Sequence, residues 1–327
     1  MTAPIATLVA GPRTRLPARR PGSVRRTQCT RIAPRPSWDV GFDLSGVGRD
    51  VAIDEAGRSH ALHTQRMTAV VGAQSGIRRL EAPLAPAVLE RLRAASREAG
   101  FRSVLADLTE ADPSWPVTGL LFDLPTVTLV SGYARLMTSP FPPDGSHPRL
   151  NVCRGWAEGA TAHRRAVARE SLVDTTTPAP PLAQMVGHPD DFPDDPPPVP
   201  NSMMRRRMVD VWTTDSGHCI YEYFRDSYVD RHGTEGSLHE YDVLVETDPD
   251  LVLTTVAVTP RALPFRECPL AALRAVDLVG ASLEDLTAAV RTRLSGVRGC
   301  THLSDSVRYL QYCVPLIRAL RDQAARS

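Results

Sequence analysis

The chain has 327 residues, of which 42% are hydrophobic and 23% are charged, so it is long enough for two globular domains with their own cores. Its 38 basic residues are all arginine, and the absence of lysine excludes Schiff-base catalysis, a P-loop lysine and a Ser-x-x-Lys nucleophile. The formal net charge of +1 gives no strong case for nucleic acid or an anionic membrane as a partner.

The beginning of the chain, Met1 to Gly11, lacks the basic region and the long apolar core of a secretory signal. No run of about 18 consecutive apolar residues occurs elsewhere. These observations predict a cytoplasmic protein. In that compartment the six cysteines are expected to be reduced, and their wide spacing contains no Cys-x-x-Cys pair.

Proline and arginine content divides the chain into four parts. Residues 1–21 are rich in both and are predicted to form a disordered arm. Residues 176–200 combine many prolines with aspartates and are predicted to form an extended linker. We therefore predict an N-terminal α+β domain over residues 22–175 and a C-terminal α+β domain over residues 201–327.

Alternating apolar residues predict two hairpins in the C-terminal part. Met208–Thr213 and Cys219–Phe224 alternate as strands on either side of a turn. A second pair of strands follows, with the apolar run Leu251–Val258 as its second member. In the first strand of that pair, one face carries His239, Tyr241, Val243 and Val245.

After these strands the apolar period becomes helical. One stripe runs from Leu283 to Leu294 behind a predicted cap at Ser282, and another runs from Leu303 to Ile317 with a predicted kink near Pro315. Strands followed by helices predict an α+β fold in which helices pack on one face of an antiparallel sheet.

The first half of the chain resembles a second copy of this plan. Val24–Thr27 followed by Gly46–Val51 resembles Met204–Arg207 followed by Phe224–Ser227. Leu62-His63 then matches Leu238-His239 at a comparable offset. The pattern indicates two related copies, of which the first lacks the cysteines of the second and would be structural.

Three strings resemble the bacterial family known as domain of unknown function 2889 (DUF2889). They lie between about Arg205 and Leu320 and are Leu238-His239-Glu240, Pro264-Phe265-Arg266-Glu267-Cys268 and Gly299-Cys300-Thr301-His302-Leu303. Phe224–Ser227 and Val130–Tyr133 resemble strings of the longer actinobacterial members. The family has no established activity, so the resemblance implies a fold unit and a bacterial source, but no mechanism.

The order of elements is also similar to that of iron–sulfur scaffold proteins of the NifU type. Gly280–Asp285 resembles the start of a scaffold helix, with Cys268 and Cys300 at the two later cysteine positions. His239 stands where the scaffold has its first cysteine, and Gly299 replaces the scaffold's histidine. The resemblance implies a metal site of different composition.

Two cysteines and two histidines are the candidate metal ligands. Cys300 and His302 lie at the start of the last predicted helix, where unpaired N–H groups and the helix dipole favour a thiolate. Cys268 precedes another predicted helix. With His239 they offer two sulfurs and two nitrogens, a set that suits zinc or an iron–sulfur centre. The alternative is that these cysteines are small apolar core residues, as we expect for Cys313.

Three functions remain open at this point. The first is a non-enzymatic metal-binding or iron–sulfur-related scaffold or carrier that uses Cys268, Cys300, His302 and His239. The second is an enzyme in which Cys300 is the nucleophile and His302 or His239 is the base. The third is a metal-free module that binds a partner protein.

Overall fold

The computed structural model describes residues 8–72, 76–96, 100–111, 116–138, 150–170, 175–192 and 195–324. The strands are β1 (Ser23–Pro34), β2 (Gly41–Ile53), β3 (Ser59–Gly72), β4 (Gly76–Glu81), β5 (Thr177–Pro178), β6 (Ser202–Thr214), β7 (Gly217–Val229), β8 (Glu235–Thr247) and β9 (Leu253–Ala262). The α-helices are α1 (Pro86–Ala95), α2 (Phe101–Ala111), α3 (Pro116–Thr138), α4 (Thr161–Val167), α5 (Leu182–Met185), α6 (Leu286–Arg293), α7 (Thr301–Tyr309) and α8 (Val314–Ala324). A 3₁₀ helix spans Cys268–Leu278.

The described strands form one antiparallel sheet. Its order is β4-β3-β2-β1-β6-β7-β8, and both β5 and β9 pair with β8. The predicted α+β class is therefore confirmed. Because β1 pairs with β6 over Ser23–Ile32, the segments 22–175 and 201–327, which were predicted as separate domains, contribute to the same sheet.

The predicted C-terminal elements are present with shifted ends. β6 and β7 form the first hairpin, and β8 and β9 form the second. α6 begins at Leu286, because Ser282 instead forms a β-bridge with Val252. The last predicted helix is divided into α7 and α8 by a 3₁₀ turn at Leu310–Cys313, and Pro315 lies in the first turn of α8, where its missing N–H costs no helical bond.

The helices cover one face of the sheet. α3 packs on β1, β2, β3 and β6, and α8 packs on β1 and β6. One stretch of α3, Pro116–Ala134, is long and apolar enough to span a membrane, but 80% of it is buried inside the protein. It is a core helix of the α+β fold.

The opposite face is covered by segments that were predicted to be an arm and a linker. Of the arm, residues 8–21 are described; Leu16 is buried there, and Arg13 binds Asp242 at 2.7 Å. In residues 176–200, of which 193 and 194 lie outside the described part, Asp191 binds Arg19 at 3.1 Å. The buried apolar residues of this layer are too far apart in sequence to show a period; they include Leu16, Leu182, Met185 and Phe192.

The sheet register contains the same Arg-Asp-His arrangement in both halves of the chain, while the prediction of two related copies stays a prediction. In the first half, Arg26, Asp50 and His63 are direct neighbours across β1, β2 and β3, and a β-bulge follows Asp50. In the second half, Arg205, Asp226 and His239 are direct neighbours across β6, β7 and β8, and a β-bulge follows Asp226. In the sheet register, Arg26 therefore has the position that Arg205 has in the second half. The sequence strings instead matched Arg25 with Arg205, and a shift of one residue exchanges the two faces of a strand.

Buried charges lie between the sheet and the helices. Arg207 on β6 binds Asp123 of α3 at 2.9 Å, also binds Glu222 of β7, and stacks on Tyr309 with 3.9 Å from its guanidinium carbon to the ring centre. Both oxygens of Glu222 are occupied, because Ser306 of α7 donates to the second one at 2.5 Å. The charges thus attach helices from both halves to the centre of the sheet.

We expect Glu222 to make the stability of the fold depend on pH. Burial raises its pKa from 4.5 to about 7, although Arg207 and Ser306 donate hydrogen bonds to it. The folded protein therefore keeps a proton that the unfolded chain releases, so stability falls as the pH rises from about 5 to about 8, by on the order of 2 kcal/mol. The Glu222→Gln variant should lack this contribution in free energies of unfolding measured by denaturant titration across that pH range.

The control is Glu158→Gln, since Glu158 is exposed and its substitution should leave the wild-type pH dependence unchanged. If the curves of Glu222→Gln and wild type run parallel, Glu222 does not hold the proton.

Candidate functional site

Two histidines and one aspartate meet on the helix-covered face of the sheet. Asp226 and His239 are direct neighbours on β7 and β8, and His302 comes from the first turn of α7. The rings of His239 and His302 are stacked, with centres 3.4 Å apart and planes 15° apart. The nitrogen and oxygen atoms that could bind a metal all lie within 4.8 Å of one another. We call Asp226, His239 and His302 the His₂Asp cluster.

His239 is the deepest member of the cluster. It is 5% exposed, and its Nδ1 is buried with no hydrogen-bond partner within the described part of the chain. Burial lowers the pKa of His239 well below its ordinary value, and the nearby charges of His302 and Arg205 act in the same direction. The ring is therefore a neutral imidazole with a buried nitrogen available to a ligand.

Asp226 is held in place by Arg205, its neighbour on β6. Nε and Nη2 of Arg205 donate to the two carboxylate oxygens at 2.8 Å each. Each oxygen keeps a second lone pair, and Oδ2 lies 3.9 Å from Nε2 of His302. This bidentate contact orients the carboxylate in the way that outer-shell partners orient metal ligands.

The start of α7 places His302. Cys300 is the extended residue before the helix, and its carbonyl accepts the first helical bond from Ser304 at 2.8 Å. Gly299 is required just before it, because a Cβ at this position would lie 1.9 Å from the carbonyl oxygen of Leu294. In the string Gly299-Cys300-Thr301-His302, the glycine allows the backbone to pass close to Leu294, and the helix α7 begins two residues later.

The two predicted cysteine ligands belong to a neighbouring group. Cys300 accepts a hydrogen bond from the hydroxyl of Tyr241 at 3.3 Å, and Cys268 and Cys153 interact electrostatically with it and with one another. Cys268 also packs against Gly155, where a Cβ would come within 2.7 Å of its sulfur. The sulfurs of this group do not belong to the set of ligand atoms within 4.8 Å found among the described residues.

Burial keeps these thiols protonated. It raises the pKa of Cys300 to about 11 and that of Cys268 well above its ordinary value. The N–H groups of His302 and Leu303 at the start of α7 do lower the pKa of Cys300, as the sequence suggested, but loss of solvent outweighs them. A stabilised thiolate at Cys300, expected from the sequence, is therefore not what this environment favours.

The structure thus brings together His239 and His302 and places Cys268 and Cys300 beside Tyr241. Sequence reasoning missed Asp226 as a site residue and gave no role to Cys153. Asp226 did appear in the Arg225-Asp226 string of the apparent repeat, but only the pairing of β7 with β8 shows that it adjoins His239.

Comparison with known proteins gives one family. Residues 203–314 match the model of a family described as protein of unknown function (DUF2889), as the sequence strings implied. No curated protein and no solved structure matches the chain. The matched range includes the whole His₂Asp cluster together with Cys268 and Cys300. The likeness to iron–sulfur scaffold proteins stays a prediction.

We expect Cys300 and Cys268 to resist alkylation in the native protein at neutral pH. Both are 3% exposed and hold their protons, whereas alkylation requires an accessible thiolate. Mass spectrometry after a short pulse of iodoacetamide should find them unmodified, and the same pulse in denaturant should label all six cysteines. Rapid labelling of Cys300 in the native state would restore the expectation of a reactive thiolate.

Proposed function

With residues 203–314 belonging to the DUF2889 family, whose function is unknown, we propose that the chain is a metal-binding protein whose ion is held by Asp226, His239 and His302. The observation that carries the proposal is the buried Nδ1 of His239, which lacks a hydrogen-bond partner among the described residues and has a second imidazole and a carboxylate beside it. Two imidazoles and one carboxylate suit zinc, ferrous iron and other divalent first-row ions.

Metal binding by the His₂Asp cluster would require one of its histidine rings to change orientation. Ligand bonds of about 2.0–2.2 Å require the donor atoms to converge on the ion, whereas the nitrogen lone pairs of the stacked rings lie in nearly parallel planes. His239 and Asp226 lie on neighbouring strands of the sheet, so we expect metal binding to rotate the ring of His302. Its side chain is 16% exposed in the first turn of α7. Three protein ligands then leave an open position for water or a further ligand.

The charge of Arg205 is compatible with a cation at this place. Besides Asp226, Arg205 binds Asp123 at 2.9 Å and Asp305 at 2.8 Å. Its single positive charge is therefore divided among three carboxylates, so it does not fully neutralise Asp226.

A single ion fits the cluster better than an iron–sulfur centre does. The thiols of Cys268 and Cys300 are protonated and lie outside the set of close ligand atoms, and cluster assembly needs thiolates. Nucleophilic catalysis by Cys300 would also need a thiolate, which burial disfavours. A binding or carrier role without chemistry at Cys300 is therefore the function we propose, in the cytoplasm, where the free cysteines would stay reduced.

We expect the metal-free full-length chain to bind one equivalent of Co²⁺ or Zn²⁺. The His302→Gln and His239→Gln variants should bind at least about tenfold more weakly, because each removes one of three ligands. His232→Gln is the matched control, since His232 is exposed on a loop. Calorimetry gives the affinity, elemental analysis gives the stoichiometry, and circular dichroism verifies that each variant is folded.

The cobalt spectrum separates the two ligand sets. Coordination by nitrogen and oxygen should give no thiolate-to-cobalt charge-transfer band, and Cys268→Ser and Cys300→Ser should bind as wild type does. A strong charge-transfer band that is lost in both serine variants would instead assign the ion to Cys268, Cys300, His239 and His302. Absence of binding by the wild-type chain would overturn the proposal.

A further inference from the structure

A second candidate site is a cavity beside α2 and α3 that shares no residue with the His₂Asp cluster. Its volume is about 340 Å³, near the lower end of the range for small-molecule sites. The wall is mainly apolar and includes Val71, Ile77, Phe101, Leu124 and Pro125. Among the described residues of the lining, Arg102 is the one with a charged side chain.

Arg102 is only partly used by the protein. Its Nη2 donates to Oδ1 of Asp305 and to Oγ1 of Thr126, both at 3.0 Å. Within the described part of the chain, these are its hydrogen bonds, so Nε and Nη1 remain for another acceptor. The side chain is 33% exposed, and the guanidinium lies 4.9 Å from the centre of the Phe122 ring, which fixes its orientation.

Arg102 shares its carboxylate partner, Asp305, with two other arginines. Asp305 is approached by three guanidinium groups, those of Arg102, Arg205 and Arg308. Burial disfavours the charged form of Asp305, but these arginines outweigh it and keep the pKa of Asp305 below its ordinary value. Arg205 is also paired with Asp123 and Asp226, whereas Arg102 and Arg308 share Asp305. An anion in the cavity would give Arg102 an acceptor that it does not share with other arginines.

We propose that the cavity binds a small carboxylate with an apolar body. The carboxylate would accept a charge-assisted hydrogen bond from Nε or Nη1 of Arg102, and the apolar part would lie against Ile77, Phe101 and Leu124. Both parallel N–H pairs of a guanidinium include Nη2, which here already donates to Asp305 and Thr126, so we expect a single hydrogen bond and not a bidentate one. The wall disfavours a multiply charged phosphate, because the two hydroxyl groups in the described lining, those of Ser96 and Thr128, already donate to the carbonyls of Arg93 and Leu124 and would not replace lost water.

The test compares ligands that share one apolar chain. We expect octanoate to bind to the metal-free full-length protein about tenfold or more tightly than 1-octanol, and octylamine to bind most weakly, because a charge-assisted hydrogen bond is stronger than a neutral one. Chemical-shift titration would also show whether the shifts centre on residues of the cavity wall.

Arg102→Gln should abolish the preference for octanoate over octanol, and Arg102→Lys should keep part of it. Arg91→Gln is the control, because Arg91 is an exposed arginine of α1 that pairs with Asp107 outside the cavity. Equal binding of octanoate and octanol by the wild type, or an undiminished preference in Arg102→Gln, would overturn the proposal, as would binding of neither. The comparison of octanoate with 1-octanol on the wild-type protein tests the proposal even if a variant does not fold. Because the protein is metal-free in this experiment, the result does not depend on metal binding at the His₂Asp cluster.

Discussion

The bidentate pair between Arg205 and Asp226 is the interaction on which the rest of the structure depends. Arg205 is fully buried on the central strand β6, and the same guanidinium binds Asp123 of α3 and Asp305 of α7. One side chain therefore connects two strands and two helices from different halves of the chain. A buried ion pair that loses one partner costs about 3–5 kcal/mol. Without Arg205, Asp226 would lose its arginine, and Asp123 and Asp305 would each lose one of several.

The same pair also positions both candidate sites. It holds the Asp226 carboxylate beside His239, and its contact with Asp305 fixes α7 so that His302 lies over His239. Asp305 also binds Arg102, whose side chain lines the apolar cavity. The proposed cation and the proposed carboxylate would thus lie at two ends of one buried network, in which each added charge has a neighbour of opposite sign.

The Arg-Asp-His arrangements of the two halves differ in the burial of the histidine. Arg26 binds Asp50 with the same bidentate geometry as Arg205 and Asp226, and His63 has the position of His239 in the register. Yet His63 is exposed, whereas His239 is covered by α7. β1 and β6 pair antiparallel with Arg26 opposite Val209 and Thr30 opposite Arg205, so a local twofold axis relates the copies. The two arrangements therefore share a register, and the one that α7 covers is the candidate site.

The sequence by itself determined the local features: strands before helices, the hairpins, and the common face of His239, Tyr241, Val243 and Val245, because alternation along a strand is a property of neighbouring residues. Only the tertiary structure decided that β1 joins β6, that residues 8–21 and the proline-rich segment cover the second face, and that Asp226 rather than Cys268 or Cys300 adjoins the two histidines. The period of a strand fixes the face of a side chain, whereas its neighbours across the sheet depend on register and packing between residues distant in sequence.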